Sequence, residues 1–243
     1  MKITQISSGH SLAYGDDVID YTIVYSGRST IQIEVCPDCT VLARASSDMD
    51  LLFIEESMRK KAGWILKQLN YFRQFGPKRG GSSYVNGEEH LYLGDWYPLK
   101  ITQGDKNRVE LTEDTISIIC RNEPNPKTVK KLLDKWYLEQ AHIKFNNSLY
   151  RCWHAFFQAT DKPMPELVVS GRLRRYWGTY SRKGIVTLDK NLIKASMECI
   201  DFIVNHELCH VLQLNHGPLF YELLYEVMPY WKEVKLELER TLL

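Results

Sequence analysis

The stretch from Ile200 to Leu214 constrains this chain more than any other. It reads Ile-Asp-Phe-Ile-Val-Asn-His-Glu-Leu-Cys-His-Val-Leu-Gln-Leu. Ile200, Ile203, Val204, Leu208, Val211 and Leu212 recur at helical spacing and demand burial. His206 and His210 are four apart, so one helical turn sets both imidazoles on the same face, off the centre of the apolar stripe. The chain must therefore bury this helix while keeping one polar, nitrogen-bearing face open. Two such imidazoles can share a Zn²⁺ at about 2.0–2.1 Å each. Glu207, beside the first of them, is then placed to act as general base on a water rather than as a ligand. The spacing predicts a helix from about Ser196 to Leu214.

A catalytic zinc usually has three protein ligands and an open fourth position. His216 is the best third ligand, because the 206/210/216 spacing equals that of the longer H-E-x-x-H-x-x-G-x-x-H motif. Gln213 stands where that motif has glycine, so the corner must turn differently. Asn215 is expected to take the left-handed conformation that ends a helix, with Gly217-Pro218 opening the next. Glu222 and Glu226 on that following helix are the rival third ligands.

The totals leave this reading room. In 243 residues, 44% are hydrophobic and 25% charged, with a net charge of +1. The near-neutral balance gives no global pull toward nucleic acid or anionic membranes, although a local basic patch is compatible with it. No stretch approaches the roughly 18 apolar residues of a membrane span, and the first residues lack the apolar run of a signal peptide. With six scattered cysteines, the chain is expected to be cytoplasmic with reduced thiols.

Upstream, residues 18–25 read as a strand. Ile31, Ile33 and Val35, then Val41 and Ala43, alternate about Pro37-Asp38 as a hairpin. The first fifty residues are expected to form a small antiparallel sheet. A helix follows, capped by Asp48 or Asp50, with Leu52, Met58, Trp64, Ile65 and Leu69 as its apolar stripe. Residues 75–83 are the clearest loop, and short strand-like runs continue to Cys120. Residues 121–125 are the expected seam, dividing a β-rich N-terminal region with one helix (1–125) from the metal-bearing domain (126–243). Asn125 is expected to cap a long helix with Pro126 at its first position. Leu167–Ser170 and Ile185–Leu188 read as strands. No internal repeat is visible.

Three further motifs outline a resemblance. The run Tyr176-Trp177-Gly178-Thr179-Tyr180-Ser181 leads into Gly184-Ile185-Val186-Thr187-Leu188-Asp189. The helix above follows, and then Asn215-His216 and Met228-Pro229. Together they resemble the YgjP-like metallopeptidase-domain family, which is related to the SprT-like and WLM zinc peptidases. Tyr84–Glu88, Tyr92–Gly94 and Lys60–Ile65 extend the resemblance over nearly the whole chain. It implies an α+β, gluzincin-like fold in which an antiparallel sheet packs on helices including the metal helix. It also implies ligand roles for His206, His210 and His216, the base role for Glu207, and a peptide or protein substrate. Arg175, Trp177, Gly178 and Tyr180 are the expected substrate-binding residues, a peptide adding along the strand near Trp177–Ser181. Thr179, Tyr180 and Asp189 depart from the family's usual Ser-Cys and Asn. Tyr180 could donate a proton to an oxyanion or simply pack.

The remaining motifs are weaker. Cys36-Pro37-Asp38-Cys39 lacks the second pair that a zinc ribbon needs. Cys209 lies about 100° from His210 and reads as packing. Arg172, Arg174 and Arg175 would suit phosphate if they line a cleft, which keeps nucleotide pyrophosphatase chemistry as an alternative. A metal-stabilised binding module, perhaps on a nucleic-acid complex, is a third reading. Oligomeric state is left open.

Overall fold

In a computed structural model the described residues are 6–27, 29–36, 38–73, 82–171, 173 and 176–242. They form a mixed α+β structure in two compact units, Met1–Gly80 and Gly81–Leu242.

The first unit is four strands and a helix: β1 (Ile6–Tyr14), β2 (Asp17–Tyr25), β3 (Gln32–Val35), β4 (Val41–Ala45) and α1 (Leu51–Arg73), with sheet order β1-β2-β4-β3. The β3–β4 hairpin forms as the alternation predicts, with Ile33 opposite Ala43 and Val35 opposite Val41. The sheet is mixed rather than antiparallel, because β4 also pairs in parallel with β2. Strand β1 escapes a pattern reading because its register shifts between Ser7 and His10, around Gly9 at φ 87°. A bulge of this kind breaks the two-residue period.

Helix α1 starts where Asp50 Oδ1 accepts from Leu52 N at 3.2 Å. It buries Ile54, Met58, Ala62, Ile65 and Leu69 against Leu12, Ile19, Tyr21, Ile23, Val41, Ala43 and Ala45. The stripe thus runs through Ile54 and Ala62, whereas Leu52 and Trp64 stand 70% and 45% exposed.

The second unit opens with β5 (Glu89–Tyr92), β6 (Asp95–Gln103), β7 (Arg108–Leu111) and β8 (Ile116–Cys120), in order β5-β6-β8-β7. Its pairings repeat those of the first sheet: antiparallel, parallel, antiparallel. Each four-stranded sheet is followed by a long helix, here α2 (Pro126–Cys152), so the chain holds two copies of one topology that its sequence does not advertise. Asn125 caps α2 as expected, its Oδ1 accepting from Thr128 N at 3.0 Å. A π-helical turn, Trp153–Phe157, continues it.

The division at Gly80/Gly81 corrects the seam expected at 121–125. The reason is burial. Tyr92, Leu99, Ile116, Ile118 and Cys120 share one core with Val129, Leu133 and Trp136 of α2 and with the helices beyond. Tyr137 Oη donates to Leu91 O at 2.8 Å and Tyr92 Oη to Gln140 Oε1 at 3.0 Å. Residues 82–125 therefore belong with the C-terminal unit. The expected loop at 75–83 lies largely outside the described residues.

After α2 come β9 (Glu166–Ser170), β10 (Gly178–Ser181) and β11 (Ile185–Asp189), then a 3-10 turn (Lys190–Lys194), α3 (Met197–Leu212), α4 (Pro218–Val227) and α5 (Trp231–Leu242). The three-stranded sheet, ordered β10-β11-β9, is mixed, which corrects the antiparallel sheet expected over the metal helix. Strand β11 turns back antiparallel from β10 at Gly184 and inserts beside β9, so β9 and β11 run parallel.

Candidate metal centre

Helix α3 carries the centre, and three neighbours fix it. Ser196 caps it, its Oγ accepting from Cys199 N at 3.2 Å. The β5–β6 turn docks just upstream, with Leu93 N and Gly94 N donating to Ile193 O and Lys194 O, each at 3.0 Å. Gly94 has φ 93°, and a Cβ there would meet Ser196 Cβ at 3.2 Å, so glycine permits the approach. On the flank toward α2, Asp201 Oδ1 accepts from Ser148 Oγ and Arg151 Nη2, both at 2.5 Å.

His206 and His210 share a face of α3, and His216 comes back from the corner before α4 to join them. The three residues each offer a ligand atom, all within 4.8 Å of one another. His206 Nε2 and His216 Nε2 lie 2.9 Å apart. Ring centroids are 5.2 Å apart for 206–210, 4.9 Å for 206–216 and 4.7 Å for 210–216. Among the described residues no carboxylate joins this group, and Glu222 and Glu226 are exposed.

The corner is not made by a left-handed Asn215. Helix α3 ends at an extended Gln213 (φ −129°, ψ 96°), and the chain turns back through Gly217 N donating to Asn215 O at 2.8 Å. Gln213 has a second use, since its carbonyl sits 3.0 Å from His210 Nδ1. A carbonyl can only accept, so Nδ1 carries the proton and the Nε2 lone pair is left for a ligand role.

Beneath the imidazoles lies a residue the pattern reading missed. Phe220, fully buried, packs its ring centroid 4.9, 4.7 and 4.6 Å from those of His206, His210 and His216. It forms an apolar floor that holds all three rings. In the sequence it is only one more apolar residue early in α4. Burial, then the neighbouring imidazoles, depress His206 to about 3. Burial likewise lowers His216. Neutral imidazole is the form a metal requires.

Glu207 is 4% exposed. Burial pushes its carboxyl up to about 8, while a hydrogen bond from the Tyr180 backbone N–H pulls the other way. That bond exists because β10 lies directly on α3. A Cβ on Gly178 would come within 2.8 Å of Ile203 Cγ2 and 2.9 Å of Glu207 Cγ and Oε1. Gly178 thus admits the contact between strand and helix. Trp177 and the Tyr180 side chain are half-buried and pack against the core. Trp177 O accepts from Asp189 N at 2.9 Å, and the Asp189 carboxylate caps the 3-10 turn by accepting from Asn191 N at 2.8 Å. Arg172, Arg174 and Arg175 lie outside the described residues. Cys209 is buried, its thiol pushed up to about 12, as befits a packing residue.

The sequence matches the family described as "YgjP-like, metallopeptidase domain" over residues 29–241. The chain belongs to this family. The YgjP-like match spans both compact units, and it makes the chain a member of a metallopeptidase, hence hydrolase, family whose activity implies a metal ion. Among solved structures, one that resembles it is the metallopeptidase zymogen jannalysin of Methanocaldococcus jannaschii. That likeness has 17% identity and a TM-score of 0.35, and covers 41% of this chain and 97% of that one. No curated protein matches. Among the described residues, no helix is long and apolar enough to cross a membrane.

Proposed function

We propose that this chain is a cytoplasmic zinc metallopeptidase with a gluzincin-like catalytic core, in which His206, His210 and His216 hold the metal and Glu207 is the general base. The observation that carries the reading is the convergence of three imidazoles on one point. With bonds of about 2.0–2.1 Å, tetrahedral ligand nitrogens sit roughly 3.3 Å apart. The separations here, from 2.9 Å to within 4.8 Å, bracket that value. Three neutral nitrogen donors suit Zn²⁺ and do not suit Mg²⁺ or Ca²⁺, which prefer oxygen. A zinc ion bound there supplies Lewis-acid polarisation of a carbonyl and brings the pKa of its water toward about 7.

The protein's own groups do the rest. Glu207 takes a proton from the attacking water and returns it to the leaving amine. Burial raises that carboxyl in the metal-free protein, and a dication bound beside it would draw it back toward the ionised form that a base needs. The Tyr180 N–H holds the carboxylate in orientation, and Phe220 and Gln213 O hold the imidazoles. Strand β10 is an edge of its sheet and lies against α3 beside Glu207. An extended substrate adding to that edge presents successive peptide carbonyls to the site. Trp177, Gly178 and Tyr180 line the approach, with Arg175 the further substrate contact.

The test compares metal-stripped and zinc-reconstituted protein on an unfolded polypeptide and on a nucleoside triphosphate. Zinc-dependent cleavage of the polypeptide is expected. Zinc-dependent hydrolysis of the triphosphate alone would replace the peptide reading with the pyrophosphatase one.

A further inference from the structure

The N-terminal unit carries a groove that the catalytic reading does not use. It is a pocket of about 420 Å³ lined by Ile31, Ile33, Ser57, Lys60, Lys61 and Trp64. Its wall on one side is β3, an edge of its sheet, and on the other the flank of α1. We propose that this groove captures an extended peptide bearing apolar and acidic side chains, which adds as a fifth strand alongside β3.

Three features converge on that occupant. The first is backbone register. Cys36 N donates to Thr40 O at 2.8 Å and closes the β3–β4 hairpin as a hydrogen-bonded pair. Hydrogen-bonded and non-bonded pairs alternate along an antiparallel ladder. Glu34 opposite Leu42 and Gln32 opposite Arg44 therefore bond inward, while Ile33 and Val35 turn their peptide groups outward, away from β4. Those outward groups are the template an incoming strand pairs with.

The second feature is the side-chain layer. Ile31, Ile33 and Val35 belong to the face of the sheet packed on α1, yet all three are only partly covered. A strand added beside β3 places every second side chain in that same layer, against Ile31, Ile33 and the half-exposed indole of Trp64. An apolar side chain there completes the row.

The third is charge. Lys60 and Lys61 rim the pocket, and no carboxylate is among its lining residues. Lys60 pairs with Glu56 at 2.8 Å, but both side chains are more than half exposed. An exposed pair of this kind holds its lysine weakly, so an acidic side chain arriving in the layer under α1 meets two available ammonium groups.

Binding at this groove does not depend on catalysis and is measured on this chain after metal removal, which prevents cleavage of the peptide. Fluorescence anisotropy would follow the labelled peptide Thr-Phe-Thr-Glu-Thr-Phe-Thr, and the same peptide with Lys in place of Glu. The acidic peptide should bind at least tenfold more tightly. Lys60→Glu/Lys61→Glu should reverse the preference, a gain that misfolding cannot mimic. Trp64→Ala should weaken binding about tenfold, and N-methylation of alternate peptide nitrogens along one edge should abolish it. Failure of both peptides to bind, equal binding of the two, or a preference unchanged in the double variant would overturn the assignment. So would concentration-dependent dimerisation of the protein that Trp64→Ala removes, since that would give the groove to a second copy of this chain.

Discussion

The two ββββα modules share strand order and pairing senses and differ in what their cores are asked to do. In the first, β4 turns Val41, Ala43 and Ala45 inward, small residues that let α1 sit close on the sheet. In the second, β8 turns Ile116, Ile118 and Cys120 inward at the same register, and the larger side chains reach a core that continues through α2 into α3, α4 and α5. The first module closes on itself. The second is the base of a larger unit and fixes the start of the histidine-bearing helix through the Leu93-Gly94 turn. One topology thus serves once around a core of its own and once as part of a larger core. The difference lies in the size of the inward side chains and in what the following helix has left to cover.

The sharpest way to break that contrast is a large-to-small change in each core. Phe220→Ala should destabilise the C-terminal unit by about 3–5 kcal/mol and weaken metal binding, because the imidazoles lose their common floor. Ile23→Ala should cost the N-terminal unit about 2–5 kcal/mol while metal content and turnover stay near wild type. Denaturant unfolding followed by hydrogen exchange in β2 and β11 separates the two. Equal effects of both variants on metal content would show that the units are not independent.

Gly178→Ala comes next. Its new methyl lands 2.8 Å from Ile203 and 2.9 Å from Glu207, an overpacking of the kind that costs about 1–3 kcal/mol. It should lower turnover more than stability, since the strand that orients Glu207 must shift. Gly63→Ala on α1 serves as the control in the other unit. Its Cβ would meet only Tyr14 Oη, at 3.7 Å.

The pH dependence of the metal-free protein distinguishes the units again. Glu207 rises from its ordinary 4.5 to about 8 on folding. The folded state therefore holds that proton more tightly, and stability is lost as pH climbs between those values. His206, lowered from 6.5 to about 3, works in the opposite sense and adds stability as pH rises through that interval. The two oppose each other between pH 4.5 and 6.5; above that Glu207 dominates, with Glu239, raised by burial to about 7, adding in the same sense. The C-terminal unit should lose about 2 kcal/mol between pH 6.5 and 8, and Glu207→Gln should flatten the slope. A slope between pH 7 and 8 undiminished in Glu207→Gln would assign it to another group.

The helix caps give the smallest effect. Asn125→Ala at α2 and Asp50→Ala at α1 should each cost about 1 kcal/mol, each in its own unit, as thermal unfolding would show.

What the sequence made legible was local. The Asn125 cap, the β3–β4 hairpin and the histidine helix all follow from spacings within a few residues, where periodicity and capping chemistry act directly. The convergence of His216 on His206 and His210 was readable for the same reason, being six residues and one corner away. Long-range pairings were hidden. Nothing in β2 or β6 announces a parallel partner some twenty residues downstream, so the first sheet reads as antiparallel, the runs up to Cys120 read as strands without a pairing, and the repeated topology stays hidden. The seam was misplaced because Asn122-Glu123-Pro124-Asn125 is rich in turn formers, whereas the division follows burial, which places Leu99 and Ile118 in the core of α2. Phe220 was invisible because an aromatic early in an apolar helix looks the same whether it fills a core or carries three imidazoles.

The central claim is that one carboxylate beside a three-histidine metal site drives turnover, and Glu207→Gln tests it most directly. Zinc content and polypeptide cleavage would be measured on the same preparation. The account predicts about one zinc per chain, as in wild type, with cleavage reduced by at least a thousandfold. A Glu207→Gln protein that keeps its zinc and still cleaves at a wild-type rate would contradict it.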